Sequence, residues 1–216
     1  MDPLTLECLV HDLNNVFQTL GDAGELLAAD PKWAPLAAAI SRSVQQGNGI
    51  LASLAEPQPP SAVRVADLLS NAIQFSRDCL GASRIQFVAV SDPNLEIWVT
   101  EGCMERALVN LLLNAAQAMP LGGEVEIRAK PVANRIEISI ADRGPGIPEE
   151  IVPKVFKPHF TTRAAHSGLG LHIAETIIGR NRGTVVAANR NDGPGAIFTV
   201  SLPAAGQARH STASNY

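Results

Sequence analysis

The sequence predicts an α+β chain in two parts: an N-terminal antiparallel helical hairpin that pairs with a second copy into a four-helix bundle, then an α/β sandwich. Three observations carry this reading. Apolar residues recur at steps of three and four between Leu6 and Leu54. A Pro-rich stretch, Pro57-Gln58-Pro59-Pro60-Ser61, follows. Beyond it, segments of two-residue alternation interleave with long apolar helices. The 216 residues suffice for one large domain or two modest ones, and 46% hydrophobic content supplies a core. With aromatics at only 4%, that core must rest on Leu, Ile, Val and Ala.

Residues 1–56 form the predicted hairpin. The first stripe runs Leu6, Leu9/Val10, Leu13, Val16/Phe17, Leu20, Ala23/Gly24, Leu27, and Asp30-Pro31 ends it. The second runs Leu36, Ile40, Ser43/Val44, Gly47, Leu51, Leu54. Two such helices bury too little apolar surface alone, so a homodimer through these helices is expected. Residues 57–61 read as a linker.

Residues 62–203 read as the second domain, with helices on one face of a mixed sheet. Val65–Cys79 has helical spacing, and Arg84–Val90 and Leu95–Val99 alternate as strands. Glu101–Met119 is a long apolar helix. Glu124–Lys130 and Arg135–Ala141 alternate around Val132-Ala133-Asn134, a predicted hairpin. Residues 143–167 form a loop whose length suggests a functional lid. Leu169–Arg180 is predicted helical, Thr184–Asn189 and Ile197–Leu202 close the sheet, and residues 204–216 read as a disordered tail.

Composition excludes several classes. The net charge of −4, without a Lys/Arg block, argues against nucleic acid as a main ligand. Cys8, Cys79 and Cys103 fit neither a disulfide framework nor a CxxC metal site, which suits a reduced, cytoplasmic setting. Asp2, Glu7, His11 and Asp12 interrupt any signal-like N-terminal core, and no stretch approaches the roughly 20 apolar residues of a membrane span.

Four short motifs carry the chemistry. In HDLNN, His11 falls on the outermost heptad position, and Asn15, four residues on, shares its face. A carboxylate such as Asp12 can hold one imidazole N–H and leave the other nitrogen free to attack. In Glu101–Met119, Arg106, Asn110, Asn114 and Gln117 form a polar stripe on an otherwise apolar helix, so the stripe should face a cavity. Amide oxygens there are hard ligands suited to Mg²⁺ beside phosphates. In DRGPGIP, Asp142 stands at a strand end, and Gly144 and Gly146 allow close backbone approach to a flat ligand. A buried carboxylate there can accept the exocyclic amine of adenine and repel the carbonyl of guanine. In SGLGLHIA, Gly168 and Gly170 precede a helix whose free N–H groups form an anion site. Ile173 stands where a dinucleotide-binding loop needs its third glycine, so that alternative is set aside. His159, His166 and His172 lack a ligand-like arrangement, and Phe156 and Phe160 read as lid packing.

Together and in this order, the motifs resemble the transmitter module of two-component sensor histidine kinases, with its Bergerat-type (GHKL) ATPase domain. HDLNN looks like the phosphoacceptor box, NLLLNAAQAM like the N-box, DRGPGIP and SGLGL like the two glycine boxes, and FKPHFTT like the F-box of the lid; GAIFTVSLP is similar to the closing strand. The likeness covers residues 4–203. It implies ATP and Mg²⁺ as cofactors, and a response-regulator receiver domain as partner. It implies His11 as the phosphorylated residue, Asp12 as its acidic helper, and Asn15 as the residue that orients water to dephosphorylate the regulator. Asn114 matches the Mg²⁺ ligand and Asn110 a second nucleotide contact, with Gln117 on the same stripe. Asp142 matches the adenine-reading carboxylate. Gly144, Gly146, Thr161, Thr162, Gly168, Leu169, Gly170 and Leu171 match the lid and phosphate loop, and Thr199 a residue near the adenine. Many members carry Pro five residues after the histidine and Lys three after the Mg²⁺ ligand. Val16 and Gln117 stand there, so a straighter first helix is expected, with Arg106 or a lid cation replacing the lysine. The alternative, a phosphotransfer adaptor without ATP hydrolysis, has no use for the intact Asn110/Asn114, Asp142 and Gly168/Gly170 set.

Overall fold

The computed structural model describes residues 13, 16–17, 20–21, 23–24, 27–28, 30–54, 60–81, 83–158, 160–161 and 168–206. The chain divides into two compact units, Met1–Gln58 and Pro59–Tyr216.

In the first unit, helical residues between 13 and 28 precede helix α1 (Ala34–Leu54). The turn forms where Asp30-Pro31 predicted it: the Asp30 carbonyl accepts the Trp33 N–H at 2.9 Å and the Asp30 carboxylate accepts the Lys32 N–H at 2.9 Å. Gly24 packs against Ile40, Gly21 against Val44, and Phe17 against Gly47. As the first number falls the second rises, so the two helical segments run antiparallel. A side chain at Gly47 would run into the Phe17 ring, so glycine is the residue that lets the ring approach α1 this closely.

The second unit runs β1 (Ser61–Arg64), α2 (Val65–Leu80), β2 (Ile85–Ser91), β3 (Glu96–Val99), α3 (Glu101–Gln117), β4 (Gly123–Val132), β5 (Arg135–Ala141), a 3-10 turn (Val152–Lys154), α4 (Gly170–Arg180), β6 (Thr184–Asn189) and β7 (Ala196–Pro203). Five strands form one sheet in the order β2-β4-β5-β7-β6. β2 and β4 are parallel, and the other pairs are antiparallel. Ile136, Ile138 and Ile140 of β5 and Phe198, Val200 and Leu202 of β7 are buried, while the residues between them lie on the more open face. Against the buried face pack Leu68 and Leu69 of α2, Leu108, Leu111 and Leu112 of α3, and Ile178 of α4. This is the sandwich that the alternation and the helix lengths predict.

Two limits of the second domain differ from the sequence reading. Ser61, read as linker, opens β1 and pairs with Val99, in a two-stranded sheet of β1 and β3 apart from the main one. Four residues after a Pro-rich stretch are too short to show alternation. Ala204 and Ala205, read as tail, are part of the fold: Ala204 bridges Ile97, and Ala205 is buried.

Candidate active site

Three elements of the second unit converge. The first is α3. Leu108, Leu111, Leu112 and Ala115 are fully buried, which fixes the rotation of the helix and turns Arg106, Asn110 and Asn114 to a half-buried position. Gln117, the last residue of α3, is exposed, so the polar stripe ends a turn earlier than the sequence suggested. The Asn110 Nδ2 group is buried and has no hydrogen-bond partner. A buried amide left unpaired costs about 1–3 kcal/mol, and such a group is retained where a ligand satisfies it. Burial lowers the proton affinity of the Arg106 guanidinium, against a smaller opposing effect of Cys103. A partly desolvated cation one turn from Asn110 attracts phosphate more strongly than one in bulk water.

The second element is the end of β5. Asp142 is 1% exposed. Its Oδ1 accepts the Gly144 N–H at 2.8 Å and the Ala196 N–H at 3.2 Å, and its own N–H donates to the Ala196 carbonyl at 2.9 Å. A Cβ at Gly144 would lie 2.9 Å from the Ala118 carbonyl oxygen, just beyond α3, and the Arg143 N–H donates to Met119 Sδ at 3.4 Å. The glycine loop and the C-terminal end of the amide-bearing helix are therefore in direct contact.

The third element is the start of α4. Gly168 has φ +66°, a left-handed turn that glycine takes without strain, and Leu169 caps the helix. A Cβ on Gly170 would sit 3.7 Å from Asn110 Oδ1, so the first turn of α4 lies on the amide stripe. Leu171 is half-buried and packs on the core. Two contacts tie the lid to the body, one of them through this turn. His172 Nδ1 lies 3.2 Å from the Phe156 carbonyl, and the Phe156 ring meets Phe198 edge-on at 6.2 Å. Phe156 thus packs the lid against the body, as its sequence position suggested.

Gly170, in the segment with Gly168, Leu169 and Leu171, is thus brought to Asn110, one turn before Asn114 on α3; Asp142 and Gly144 lie at the C-terminal end of that helix, and Thr161 is exposed in the lid. His11, Asp12, Asn15 and Thr162 lie outside the described residues. Thr199 is a correction. It alternates with the buried Phe198 and Val200 and stands opposite Ser139 and the exposed Val186, on the open face of the sheet. The residue that meets Asp142 is Ala196, through its N–H. Sequence reasoning also missed Gly195. With φ +124°, it lies so close that a Cβ would strike the Asp142 carbonyl. A glycine just before the closing strand was the available signal.

Behind the loop stands an ion cluster. Glu126 Oε1 accepts from Arg143 at 2.6 Å and Arg190 at 3.3 Å, and Arg190 also grips Asp192 at 2.8 Å. Burial works against the charged form of Glu126, but Arg190 and Arg143 outweigh it and hold its carboxyl below the usual range.

A strand-end buried carboxylate, an amide-bearing helix and a glycine-led helix start, packed on one side of a mixed sheet, form the arrangement expected of a Bergerat-type ATPase domain. Residues 100–206 match the family of histidine kinase-, DNA gyrase B-, and HSP90-like ATPases. Over 92% of its length the chain is 26% identical to the sensor histidine kinase ZraS of Klebsiella oxytoca, of which it spans 45%. The structure is similar to the catalytic domain of histidine kinase ThkA, with TM-score 0.62 and 26% identity, covering 68% of this chain and 96% of that one. It shares the fold of full-length ShkA in complex with AMPPNP, with TM-score 0.67 and 21% identity, covering 94% of this chain and 46% of that one. The match to this ATPase family lies within the second unit, and the similarities support a histidine-kinase transmitter module carrying such a domain. It spans about half the length of the curated relatives it matches.

The unpaired amide makes a two-sided test. Asn110→Leu removes a buried polar group with no partner, so the nucleotide-free domain should melt roughly 2–6 °C higher. The same change should weaken ADP binding at least about tenfold. A lower midpoint with unchanged ADP affinity would contradict the assignment.

Proposed function

We propose that this chain is the core of a sensor-type histidine protein kinase. In this reading it autophosphorylates His11 from ATP and Mg²⁺ and transfers the phosphoryl group to an aspartate of a response-regulator receiver domain. The single observation that carries the reading is the buried, unpartnered Asn110 amide, set against the Gly170 helix start and on the same helix whose end meets the Asp142 loop.

Each residue has a role. The Asp142 carboxylate accepts the adenine amino group, and Gly144 and Gly146 let the loop beside it pack closely on Ala118 and Asn189. Asn110 and Arg106 face the phosphates, which rest on the N–H groups at Gly168–Leu171, with Thr161 and Thr162 closing from the lid. Asn114 supplies the amide oxygen that would hold Mg²⁺, a hard cation that supplies charge neutralisation on the phosphates when bound. The unprotonated ring nitrogen of His11 attacks the γ-phosphorus, the bond to the bridging oxygen breaks, and ADP leaves with its electron pair. Asp12 holds the other ring N–H and offsets the positive charge that forms on the imidazole. Asn15 orients water for dephosphorylation of the regulator.

Pairing with a second copy is supported by the first unit's own surface. Val16, Leu20 and Leu36 are 52%, 43% and 46% exposed, and a bundle of two hairpins would cover them. Among the described residues no helix is long and apolar enough to cross a membrane. We assign the module to the cytoplasm, where ATP is available.

The test is ADP binding by calorimetry with Mg²⁺ and with chelator. The wild-type chain should bind more tightly with Mg²⁺. Asn114→Ala should bind ADP equally with and without the cation, at about the wild type's metal-free affinity. Retained Mg²⁺ dependence in that variant would remove the ligand assignment, and failure of the wild type to bind ADP would remove the kinase reading.

A further inference from the structure

We propose that Asn189 is a positioning residue that sets the first glycine loop over the nucleotide, an inference resting on the kinase reading above. Asn189 closes the edge strand β6. Strand alternation places it on the same face as Val185 and Ala187, which pack on the core, and so on the helix-covered side of the sheet. Its side chain makes a closed pair of hydrogen bonds with one residue of the loop. The Ile147 N–H donates to Asn189 Oδ1 at 2.7 Å, and Asn189 Nδ2 donates to the Ile147 carbonyl at 2.8 Å. The amide thus imitates a strand neighbour and satisfies both backbone groups of Ile147.

The position of this clamp gives it its role. Asn189 pairs in register with Ala196, and the Ala196 N–H is the donor to Asp142 Oδ1. One strand pair therefore holds both ends of the DRGPGIP segment: Asp142 through Ala196, and Ile147 through Asn189. Between them lies Gly146, at φ +82°, where a Cβ would stand 2.9 Å from Asn189 Oδ1. The loop has little freedom while both ends are fixed. The base of the strand pair is fixed in turn, since the Arg190 N–H donates to the Gly195 carbonyl at 3.0 Å and its guanidinium is anchored on Glu126 and Asp192. Loss of the Asn189 amide frees the Ile147 end and leaves the Asp142 end in place.

The test uses the full chain and two variants, with ADP affinity and the affinity of inorganic triphosphate as readouts. Asn189→Ala is expected to weaken ADP about tenfold. Triphosphate, held at the α4 start, should bind all three proteins alike. Asn189→Asp is the decisive variant. As a carboxylate it can accept the Ile147 N–H but sets its second oxygen against the Ile147 carbonyl, so at about pH 8 it should bind ADP no better than Asn189→Ala. Protonated, the carboxyl donates to that carbonyl and restores the clamp. The ratio of Asn189→Asp to wild-type affinity should therefore rise as pH falls towards about 4, while that of Asn189→Ala stays flat. A merely destabilising change would not give this divergence. ADP affinity like the wild type's in Asn189→Ala, or parallel pH profiles for the two variants, would overturn the inference alone. No ADP binding by the wild type would overturn both this inference and the kinase reading.

Discussion

Asp142→Asn is expected to weaken ATP and ADP binding about 100-fold or more while leaving the fold intact. The substitution keeps some interactions of this group and reverses others. Asp142 is almost wholly buried, and its Oδ1 accepts the N–H groups of Gly144 and Ala196. An asparagine oxygen can accept both, so the strand end and the glycine loop keep their geometry. What changes is the rest of the group, where an oxygen that accepts becomes an NH₂ that donates. The adenine amino group then meets a donor in place of an acceptor, in a site with little water to relieve the clash. Thermal unfolding should shift by only a few degrees, because no buried volume is lost. Calorimetric titration checks the first part and a melting curve the second. Binding within a few fold of wild type would mean that Asp142 holds the loop together and does not read the base.

His11→Gln is expected to eliminate transfer of the γ-phosphoryl group to the chain and leave ADP affinity within about twofold. Glutamine keeps length and polarity but has no nucleophilic lone pair on nitrogen, since its amide nitrogen is conjugated. The cradle lies in the second unit, and none of the residues that form it are in the hairpin, so binding and transfer should separate cleanly. The pair of readouts is what gives the test force. A loss of both would point to a general folding defect, and retention of labelling would move the acceptor elsewhere in the chain.

How much of this was legible in the sequence depends on how far apart the cooperating residues are. The amide stripe of α3 could be read because Arg106, Asn110 and Asn114 repeat at helical spacing among leucines, a local pattern. Asp142, Gly144, Gly168 and Gly170 could be read because each belongs to a strand-to-loop or loop-to-helix junction a few residues long. What could not be read was register. Gly195 and Ala196 meet Asp142 across the β5–β7 pairing, a contact 54 residues apart in sequence. Thr199 was misplaced for the same reason. β7 begins at Ala196, one residue earlier than the sequence suggested, and burial of Phe198 decides which set of alternate residues faces the helices. Neighbouring residues on a strand face opposite sides, so Thr199, an odd number of places from Ala196, lies on the other face. Glu126 and Arg190 likewise form one ion cluster although 64 positions apart, and neither belongs to a motif. The strand β1 was hidden because its partner, β3, and not its own short sequence, makes it a strand.

In the proposed function a nucleotide cradle in the second unit delivers a phosphoryl group to an imidazole in the first. The most direct measurement is the chemical stability of the label after incubation of the wild-type chain with γ-labelled ATP and Mg²⁺. A phosphoramidate on nitrogen is lost in acid and survives alkali, and that behaviour is expected, with the label mapped to the peptide carrying His11. A label that survives acid, as a phosphoserine does, or no covalent label from a chain that binds ATP, would contradict it.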